Sequence, residues 1–390
     1  MNRGLPITQY EPQDGLLDLS WGQPRPSLLP TDAWLATTES ALTAYGWRMF
    51  AYGSDAGPGP LREWIADHLG QTDRYAATPS GIFVTGGASH ALTLICTVLT
   101  RPGDVVFVDS PTYHLAFPIF ADHGLDVIGA PVERDGDIDA IDVPALETLI
   151  SATRQQGRRV SMIYIVPTFG NPTSRSLPET RRHDLVELAE RTGVTIVEDD
   201  TYRELVYEGQ APASLRSQAR GDAVVRIGSF AKTVAPGIRL GWIDASPEFV
   251  ERVSRLGYVH SGGGVNHAAA LTMAAFGASG GYDAHVAAVR GEYARQRDAL
   301  ISALRTTLAD PTIPSPAGGW FVWLALPPGL RAADLHPVAE KHGVSFVDGT
   351  AFYPDHERGY DRIRLSFSLF TPSELADAAH RLASAIGAST

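Results

Sequence analysis

Residues 224–233 read Val224-Val225-Arg226-Ile227-Gly228-Ser229-Phe230-Ala231-Lys232-Thr233. The first four residues are mostly β-branched and predict a buried strand, and the glycine and serine after them predict a loop at its end. This loop carries Lys232, one of only two lysines among the 32 lysine and arginine residues of the chain. A lysine amine whose pKa is lowered forms Schiff bases with carbonyl compounds, whereas a guanidinium stays protonated. Lys232 is therefore the candidate nucleophile.

The second lysine has a structural explanation. Lys341 lies in Glu340-Lys341-His342-Gly343. A cation in the last turn of a helix, just before a glycine, interacts favourably with the helix dipole. Rarity alone leaves open whether Lys232 is catalytic or a scarce surface residue, so its surroundings must decide.

Short β-branched runs alternate with longer amphipathic segments around this stretch, which predicts an α/β fold with a parallel sheet covered by helices. The candidate strands are 82–85, 105–108, 127–128, 162–166, 194–197 and 224–227. Several of them end in glycine or polar loops, such as Gly86-Gly87 and Glu198-Asp199-Asp200. Ligands of open α/β sheets bind beyond the carboxyl ends of the strands, so these loops and Lys232 are expected to meet at one site.

The C-terminal part of the chain predicts a smaller α+β unit. A long helix is expected over 282–308 and a strand over 318–324, followed by helix 332–342, strands 345–347 and 363–367, and helix 372–386. A chain of 390 residues exceeds the roughly 250–300 residues at which single cores stop growing, so two domains are expected.

Composition excludes several classes of partner. The net charge of −12, without long runs of like charge, argues against a nucleic-acid or anionic-membrane surface. No segment approaches the ~18 apolar residues of a membrane span, and the N-terminus lacks the apolar stretch of a signal peptide, so a cytoplasmic location is expected. The single cysteine, Cys96, lies in an apolar run and is predicted to be a buried core thiol.

The longer segment that holds Lys232 reads Gly228-Ser229-Phe230-Ala231-Lys232-Thr233-Val234-Ala235-Pro236-Gly237-Ile238-Arg239-Leu240-Gly241-Trp242. It resembles the Schiff-base segment of class I/II aminotransferases, which are pyridoxal 5'-phosphate (PLP) enzymes of fold type I. Further motifs occur in the order of that family: Pro167-Thr168-Phe169-Gly170-Asn171-Pro172-Thr173, Glu198-Asp199-Asp200-Thr201-Tyr202 and Arg362-Ile363-Arg364-Leu365-Ser366-Phe367-Ser368. The resemblance covers about residues 15–385.

The resemblance implies a large PLP-binding domain over 46–285, with a mostly parallel seven-stranded sheet between helices. Residues 1–45 and 286–390 would form an N-terminal segment and a small α+β domain. It implies PLP as the cofactor and no metal. It also implies amino-acid and 2-oxo-acid substrates and a homodimer whose active site is shared between subunits.

The same resemblance assigns the cofactor contacts. Lys232 would form the Schiff base and move protons, and Asp199 would keep the pyridine nitrogen protonated. Tyr202 and Asn171 would contact the phenolic oxygen, and Tyr113 would stack on the ring. The phosphate would be bound by Gly87, Ala88, Ser89, Ser229 and Arg239, and by Tyr52 of the other subunit.

Substrate recognition is assigned to two further segments. Arg364 resembles the arginine that binds the substrate α-carboxylate in a bidentate manner, and it is preferred to Arg362 by its fit to the family motif. Gly22 and Trp21, in Leu19-Ser20-Trp21-Gly22-Gln23-Pro24, would meet the carboxylate and the substrate side chain, together with Asn171.

The sequence also departs from the family. Ala88-Ser89-His90 stands where serine-glutamine-glutamine is usual. Residues 261–267 are unusually rich in glycine and end in Asn266-His267. His90, Asn266 and His267 could supply an extra acid or base, or could only serve helix packing and helix initiation. Transamination is the leading expectation. A PLP-dependent lyase, replacement enzyme or oxidase is the alternative. A non-catalytic regulatory domain is a third reading, which is disfavoured because no basic helix-turn-helix precedes the aminotransferase-like region.

Overall fold

The structure is a computed structural model that describes residues 7–73, 75–135, 138–262 and 264–389. The strands in these residues are β1 Leu17–Asp18, β2 Ile82–Thr85, β3 Val105–Val108, β4 Asp126–Gly129, β5 Val132–Asp135, β6 Ile138–Ile141, β7 Val160–Ile165, β8 Thr195–Asp199, β9 Val224–Ser229, β10 Gly241–Asp244, β11 Phe321–Ala325, β12 Val344–Ser345, β13 Val347–Asp348 and β14 Arg362–Ser366.

The α-helices in the same residues are α1 Thr31–Tyr45, α2 Gly59–Asp73, α3 Ala88–Leu99, α4 Ala116–Asp122, α5 Val143–Gln155, α6 Glu179–Thr192, α7 Leu215–Gln218, α8 Pro247–Ser254, α9 Gly257–His260, α10 His267–Ala278, α11 Gly281–Thr307, α12 Ala332–Lys341 and α13 Pro372–Ser389. Short 3-10 helices span Pro26–Leu28, Gly46–Phe50, Pro79–Gly81, Pro236–Ile238 and Gly349–Phe352.

The central sheet has seven strands in the order β2-β10-β9-β8-β7-β3-β4. Only β10 runs antiparallel to its neighbours, β2 and β9. The expected α/β fold with a mostly parallel seven-stranded sheet is therefore confirmed. Strand β10 is not among the candidate strands, because its four residues lie at the end of the lysine motif. The β5–β6 hairpin was not predicted either.

Alternation along the strands places apolar side chains on both faces of the sheet. In β3, Val106 and Val108 join one buried cluster, whereas Val105 and Phe107 join the other. Helix α3 covers the first face, and α5 and α6 cover the second. Each fully buried valine, leucine or phenylalanine side chain contributes about 1.5–3 kcal/mol, so these two clusters are a main source of stability. Cys96 is buried in the first cluster, as predicted, and burial raises its pKa to about 12.

The C-terminal part forms a three-stranded antiparallel sheet in the order β11-β14-β13, packed with α11 and α13 around a third buried cluster. The single strand expected over 345–347 is split into β12 and β13, and β12 pairs in parallel with β1 near the N-terminus. The domain limits 46–285 and 286–390 stay a prediction. Among the described residues, no helix combines the length and the apolar character needed to cross a bilayer.

Candidate active site

The carboxyl ends of the parallel strands bring the predicted residues together at one edge of the sheet. Asp199 is the last residue of β8, and Lys232 follows β9 by three residues. Asn171 follows β7, and Tyr113 follows β3. The charges of Asp199 and Arg364 act on both Lys232 and Tyr113, so the four loops and β14 surround one space.

Lys232 carries an amine that is easily deprotonated. Its pKa is lowered to about 8, mainly by burial and also by the positive charges of Arg364 and Arg239, against the opposing effect of Asp199. Its Nζ lies 4.8 Å from the ring centroid of Trp320 and 5.7 Å from that of Tyr202. An amine with this pKa is uncharged in an appreciable fraction of molecules near neutral pH, which a nucleophile or base requires.

Asp199 has one carboxylate oxygen bound and one free. Oδ2 accepts a hydrogen bond from the hydroxyl of Tyr164 at 2.8 Å. Oδ1 is buried and has no partner among the described residues. Burial raises the pKa of Asp199, and the bond from Tyr164 opposes that rise. The free oxygen can therefore accept a hydrogen bond from a bound N–H group, and such a partner would oppose the rise in the pKa.

The acids on either side of Asp199 belong to the other face of the sheet. Glu198 accepts hydrogen bonds from the amides of Leu215 and Arg216 at 3.0 and 2.9 Å. Asp200 pairs with Arg226 at 2.7 Å, and Arg226 pairs with a second buried carboxylate, Asp73, at 2.9 Å. All three acids of the motif are buried, so it is not a solvated turn. Asp199 and Asp200 each keep one oxygen without a partner among the described residues, but Asp200 is already paired with Arg226.

Arg364 is buried in β14 and connects two other predicted residues. Its Nη1 donates to Oδ1 of Asn171 at 3.0 Å, and its Nη2 donates to the carbonyl of Ser20. Its Nε has no partner among the described residues. The guanidinium carbon lies 4.3 Å from the ring centroid of Phe321 and 5.2 Å from that of Phe352. Burial lowers the pKa of Arg364 to about 10.

Arg362, the competing arginine, is partly exposed and lies 3.9 Å from Asp361.

Tyr202 is buried and forms a side-chain hydrogen bond with Asn171. This bond opposes the rise in the pKa of Tyr202 that burial causes. Gly22 lies near Arg364, because both contact the ring of Phe321. A Cβ added to Gly22 would be 3.2 Å from that ring, over which the guanidinium of Arg364 lies. Trp21 instead packs edge-on against Tyr10, at 5.5 Å between centroids.

The glycine loop and Arg239 form a second polar group at the start of α3. Gly87 has a φ of +98° and precedes Ala88 and Ser89, the first residues of α3. Arg239 donates from Nη2 to the carbonyl of Gly86 at 2.8 Å. A Cβ on Gly87 would lie 3.1 Å from that same nitrogen.

Ser229 lies close to this loop because Gly241 of β10 pairs with Ser229 on one side and Thr85 on the other. The Oγ of Ser229 accepts a hydrogen bond from the amide of Ala231 at 3.2 Å. Backbone amides at a helix start, one hydroxyl and one guanidinium thus meet there. Such a group suits an anion of phosphate size.

The unusual histidines and Asn266 have local structural partners. Nδ1 of His90 accepts a hydrogen bond from the amide of Gly86 at 2.9 Å, and burial lowers its pKa. Oδ1 of Asn266 accepts from the amide of Ala269 at 3.1 Å and so caps α10. A Cβ on Gly53 would be 2.4 Å from Nδ1 of His267, so that ring packs against the Gly53 backbone. These contacts favour the packing and helix-initiation interpretations.

Tyr52 is not brought to Lys232 within the subunit. Its side chain is 91% exposed and packs beside Gly262, where a Cβ would lie 2.9 Å from the tyrosine ring. Sequence reasoning also missed several neighbours of the site: Tyr164, Trp320, Phe321 and Phe352. No motif signalled them, although Trp320 and Phe321 lie in the predicted strand-like run 318–324.

Comparison with known proteins agrees with this geometry. The family model described as aminotransferase class I and II matches residues 14–382. Aromatic-amino-acid aminotransferase 1 of Thermococcus litoralis is 30% identical over 373 residues, covering 95% of this chain and 88% of that protein. The crystal structure of Pyrococcus horikoshii kynurenine aminotransferase matches with a TM-score of 0.87 and 30% identity, covering 96% of this chain and 91% of that chain.

A third relative is named for a different functional class. The protein named uncharacterized HTH-type transcriptional regulator YdfD, of Bacillus subtilis, is 30% identical over 380 residues, which cover 96% of this chain and 75% of that protein. The family match nevertheless spans nearly the whole sequence, and the matched crystal structure is that of an aminotransferase. The chain belongs to the class I and II aminotransferases and is a PLP-dependent transaminase of fold type I.

Proposed function

We propose that this transaminase bonds its cofactor through Lys232 and exchanges the amino group of an L-amino acid with a 2-oxo acid. One observation carries the proposal. A lysine amine with a pKa of about 8, a carboxylate with an unpartnered buried oxygen and a buried arginine with an unpartnered nitrogen surround one space. These are the groups needed to hold a cofactor aldehyde, its ring nitrogen and a substrate carboxylate.

The residues present fit PLP. Oδ1 of Asp199 is positioned to accept a hydrogen bond that no described residue supplies. Gly87 leaves room in front of Arg239 that a side chain would fill. When bound, the cofactor supplies an aldehyde for the lysine and a ring that takes up the electron pair released at the substrate Cα.

Lys232 serves as the base in this proposal. Its Nζ accepts the proton that leaves the substrate Cα, because the amine is partly uncharged near neutral pH. The carboxylate of Asp199 would pair with a protonated nitrogen of the bound ring, while Tyr164 keeps the carboxylate oriented. Asn171 and Tyr202, which hydrogen-bond each other, are assigned to the phenolic oxygen. Ala88, Ser89, Ser229 and Arg239 are assigned to the phosphate, and Tyr113 to stacking on the ring.

Arg364 binds the substrate α-carboxylate. A guanidinium has five N–H donors, and two of them bind Asn171 and Ser20, so three stay available. The rings of Phe321 and Phe352 hold the guanidinium in place. Gly22 leaves its backbone close to that carboxylate, and Trp21 is assigned to the side-chain pocket.

We also propose aromatic L-amino acids as the preferred donors. The carboxylate-binding guanidinium lies among aromatic rings, which include Tyr113 and Tyr202 as well as Phe321 and Phe352. Two relatives are named for aromatic amino acids and for kynurenine. An aromatic side chain packs favourably against such rings.

The protein is further proposed to act as a homodimer, with Tyr52 reaching the site of the partner. Support comes from exposed large side chains close to Tyr52 in sequence: Trp47 is 71% exposed and Phe50 is 76% exposed. Monomers seldom leave such a group uncovered. The domain division 46–285 against 1–45 and 286–390 is supported by the pairing of β1 with β12. A cytoplasmic location remains the expectation from the sequence.

The half-reaction with single amino acids tests the proposal. A donor should convert the absorbance of the bound cofactor from about 420 nm to about 330 nm, and phenylalanine, tyrosine and kynurenine should have higher kcat/KM than aspartate. Ammonia release or oxygen uptake without that conversion would favour the lyase or oxidase. No change with any amino acid would favour a regulatory protein.

Arg364→Gln tests the carboxylate assignment in the same assay. Loss of charge-assisted hydrogen bonds worth about 1.5–3 kcal/mol each should lower kcat/KM by about 100-fold. The matched control is Arg362→Gln, which removes a partly exposed arginine two residues away and should leave kcat/KM nearly unchanged. Equal losses in both variants would contradict the assignment.

A further inference from the structure

A cavity of about 710 Å³ opens at the edge of the central sheet opposite to Lys232. It is lined where β7 and β8 begin, at Val160 and Thr195, and by the C-terminal end of α3. Because the strands are parallel, their first residues lie at one edge of the sheet, and the loops that carry Asp199 and Asn171 lie at the opposite edge. This cavity is therefore separate from the transaminase site.

Five arginines line this cavity, and we call them the arginine basin: Arg101, Arg154, Arg158, Arg159 and Arg252. No aspartate or glutamate is among the lining residues. The chain as a whole has a net charge of −12, so five arginines around one cavity form a local excess of positive charge in an acidic protein. Repulsion between these cations is a cost that a bound anion would remove.

Backbone carbonyls hold three of these guanidinium groups in place. Arg154 donates to the carbonyl of Thr192 at 3.0 Å, and Arg252 donates to that of Val98 at 3.0 Å. Arg159 donates to the carbonyl of Leu99 at 2.9 Å. A carbonyl orients a guanidinium without neutralising it, and each of these bonds uses only one of five donors.

Carboxylates compensate only part of the charge. Asp126 pairs with Arg158, and Asp104 pairs with Arg159. Among the described residues, the side chains of Arg101, Arg154 and Arg252 have no carboxylate partner. Three arginines at the cavity thus keep an uncompensated charge, and two of them, Arg154 and Arg252, are held in place by carbonyls.

We propose that the arginine basin binds a small molecule that carries a chain of phosphate groups. Guanidinium groups pair with phosphate oxygens in a bidentate manner, which favours phosphate over other anions. Three uncompensated charges exceed those of a single phosphate group, which carries about −1.5 to −2. The volume falls within the roughly 300–1,000 Å³ of small-molecule sites and is large for one phosphate ion.

Calorimetric titration of the cofactor-loaded protein with inorganic tripolyphosphate tests this directly, because the bound cofactor fills the other phosphate site. One equivalent should bind, with an affinity that falls as salt is raised. ATP is titrated in parallel: equal affinity means that the phosphate chain alone is recognised, and tighter binding points to a nucleotide. Citrate, a trianion without phosphate, should bind at least tenfold more weakly.

The double variant Arg154→Gln/Arg252→Gln removes two uncompensated charges far from Lys232. It should weaken tripolyphosphate binding by tenfold or more and leave transaminase activity unchanged. The control is Arg191→Gln on α6, an exposed arginine that pairs with Glu147 at 2.8 Å and does not line the cavity. Absence of binding, equal affinity in the double variant, or citrate binding as tightly as tripolyphosphate would overturn the proposal.

Discussion

The hydroxyl of Tyr164 donates a hydrogen bond to Oδ2 of Asp199 at 2.8 Å, while Oδ1 of that carboxylate is buried without a partner. The two residues lie on neighbouring strands, β7 and β8, and point to the same face of the sheet. This bond fixes the carboxylate in the site and opposes the rise in its pKa that burial causes.

Tyr164→Phe should therefore raise the pKa of Asp199 and weaken cofactor binding. Loss of one hydrogen bond to a charged group costs about 1.5–3 kcal/mol, which corresponds to a 10- to 100-fold rise in the Kd of PLP. The acidic limb of the kcat/KM profile should also move to higher pH, since Asp199 would be protonated more readily. Tyr293→Phe is the control, because Tyr293 is also a buried tyrosine. Its ring packs on Trp320, and it is not the tyrosine bonded to Asp199. A profile that does not move would argue against this role.

Lys232 should titrate near pH 8 in the cofactor-free protein, well below an ordinary lysine. Because the chain has two lysines, selective 13C labelling of lysine gives two NMR signals, and exposed Lys341 provides the reference. Arg364→Gln removes a positive neighbour and should raise the pKa of Lys232, whereas Asp199→Asn removes a negative one and should lower it. Shifts of the same sign would contradict the electrostatic account.

Gly87→Ala should weaken binding of the cofactor phosphate. The added Cβ would meet Arg239 at 3.1 Å, and a φ of +98° is unfavourable for alanine. Gly157→Ala is a matched control, since Gly157 has a φ of +76° and its Cβ would meet nothing within 4 Å. Both variants should lose about 1 kcal/mol or more of unfolding free energy. Only Gly87→Ala should also raise the Kd of PLP; an equal rise in the control would refute the assignment.

Complementation tests the shared site proposed for Tyr52. Tyr52→Ala and Lys232→Ala homodimers should each have little activity. A heterodimer of the two chains contains one site with an intact Lys232 and an intact Tyr52 from the partner, so mixing after dissociation should restore part of the activity. No recovery, in spite of heterodimer formation measured by native mass spectrometry, would place Tyr52 outside the partner's site.

The sequence was sufficient to identify the fold and the residues that follow strands. Asn171, Asp199 and Lys232 each lie within six residues of a strand end, so a local motif and the rule for parallel sheets were enough to bring them together. The family motif favours Arg364 over Arg362, and Arg364 is the buried one of the two.

Contacts that join distant segments could not be predicted in this way. Trp320 approaches Lys232 from the C-terminal sheet, and the pairing of Asp73 with Arg226 joins α2 to β9. Such contacts depend on how helices and strands pack, which no local motif records. Strand β10 has only four residues at the end of the lysine motif, and its antiparallel direction departs from the alternation of parallel strands and helices.

Reduction of the cofactor-loaded protein with borohydride, followed by peptide mass spectrometry, tests the central claim most directly. The reduced cofactor should be attached to the peptide that contains Lys232, and Lys232→Ala should lose both the attachment and the absorbance near 420 nm. The chain offers Lys341 as the internal comparison, and this lysine should remain unmodified. Attachment to Lys341, or an absorbance band that survives in Lys232→Ala, would contradict the account.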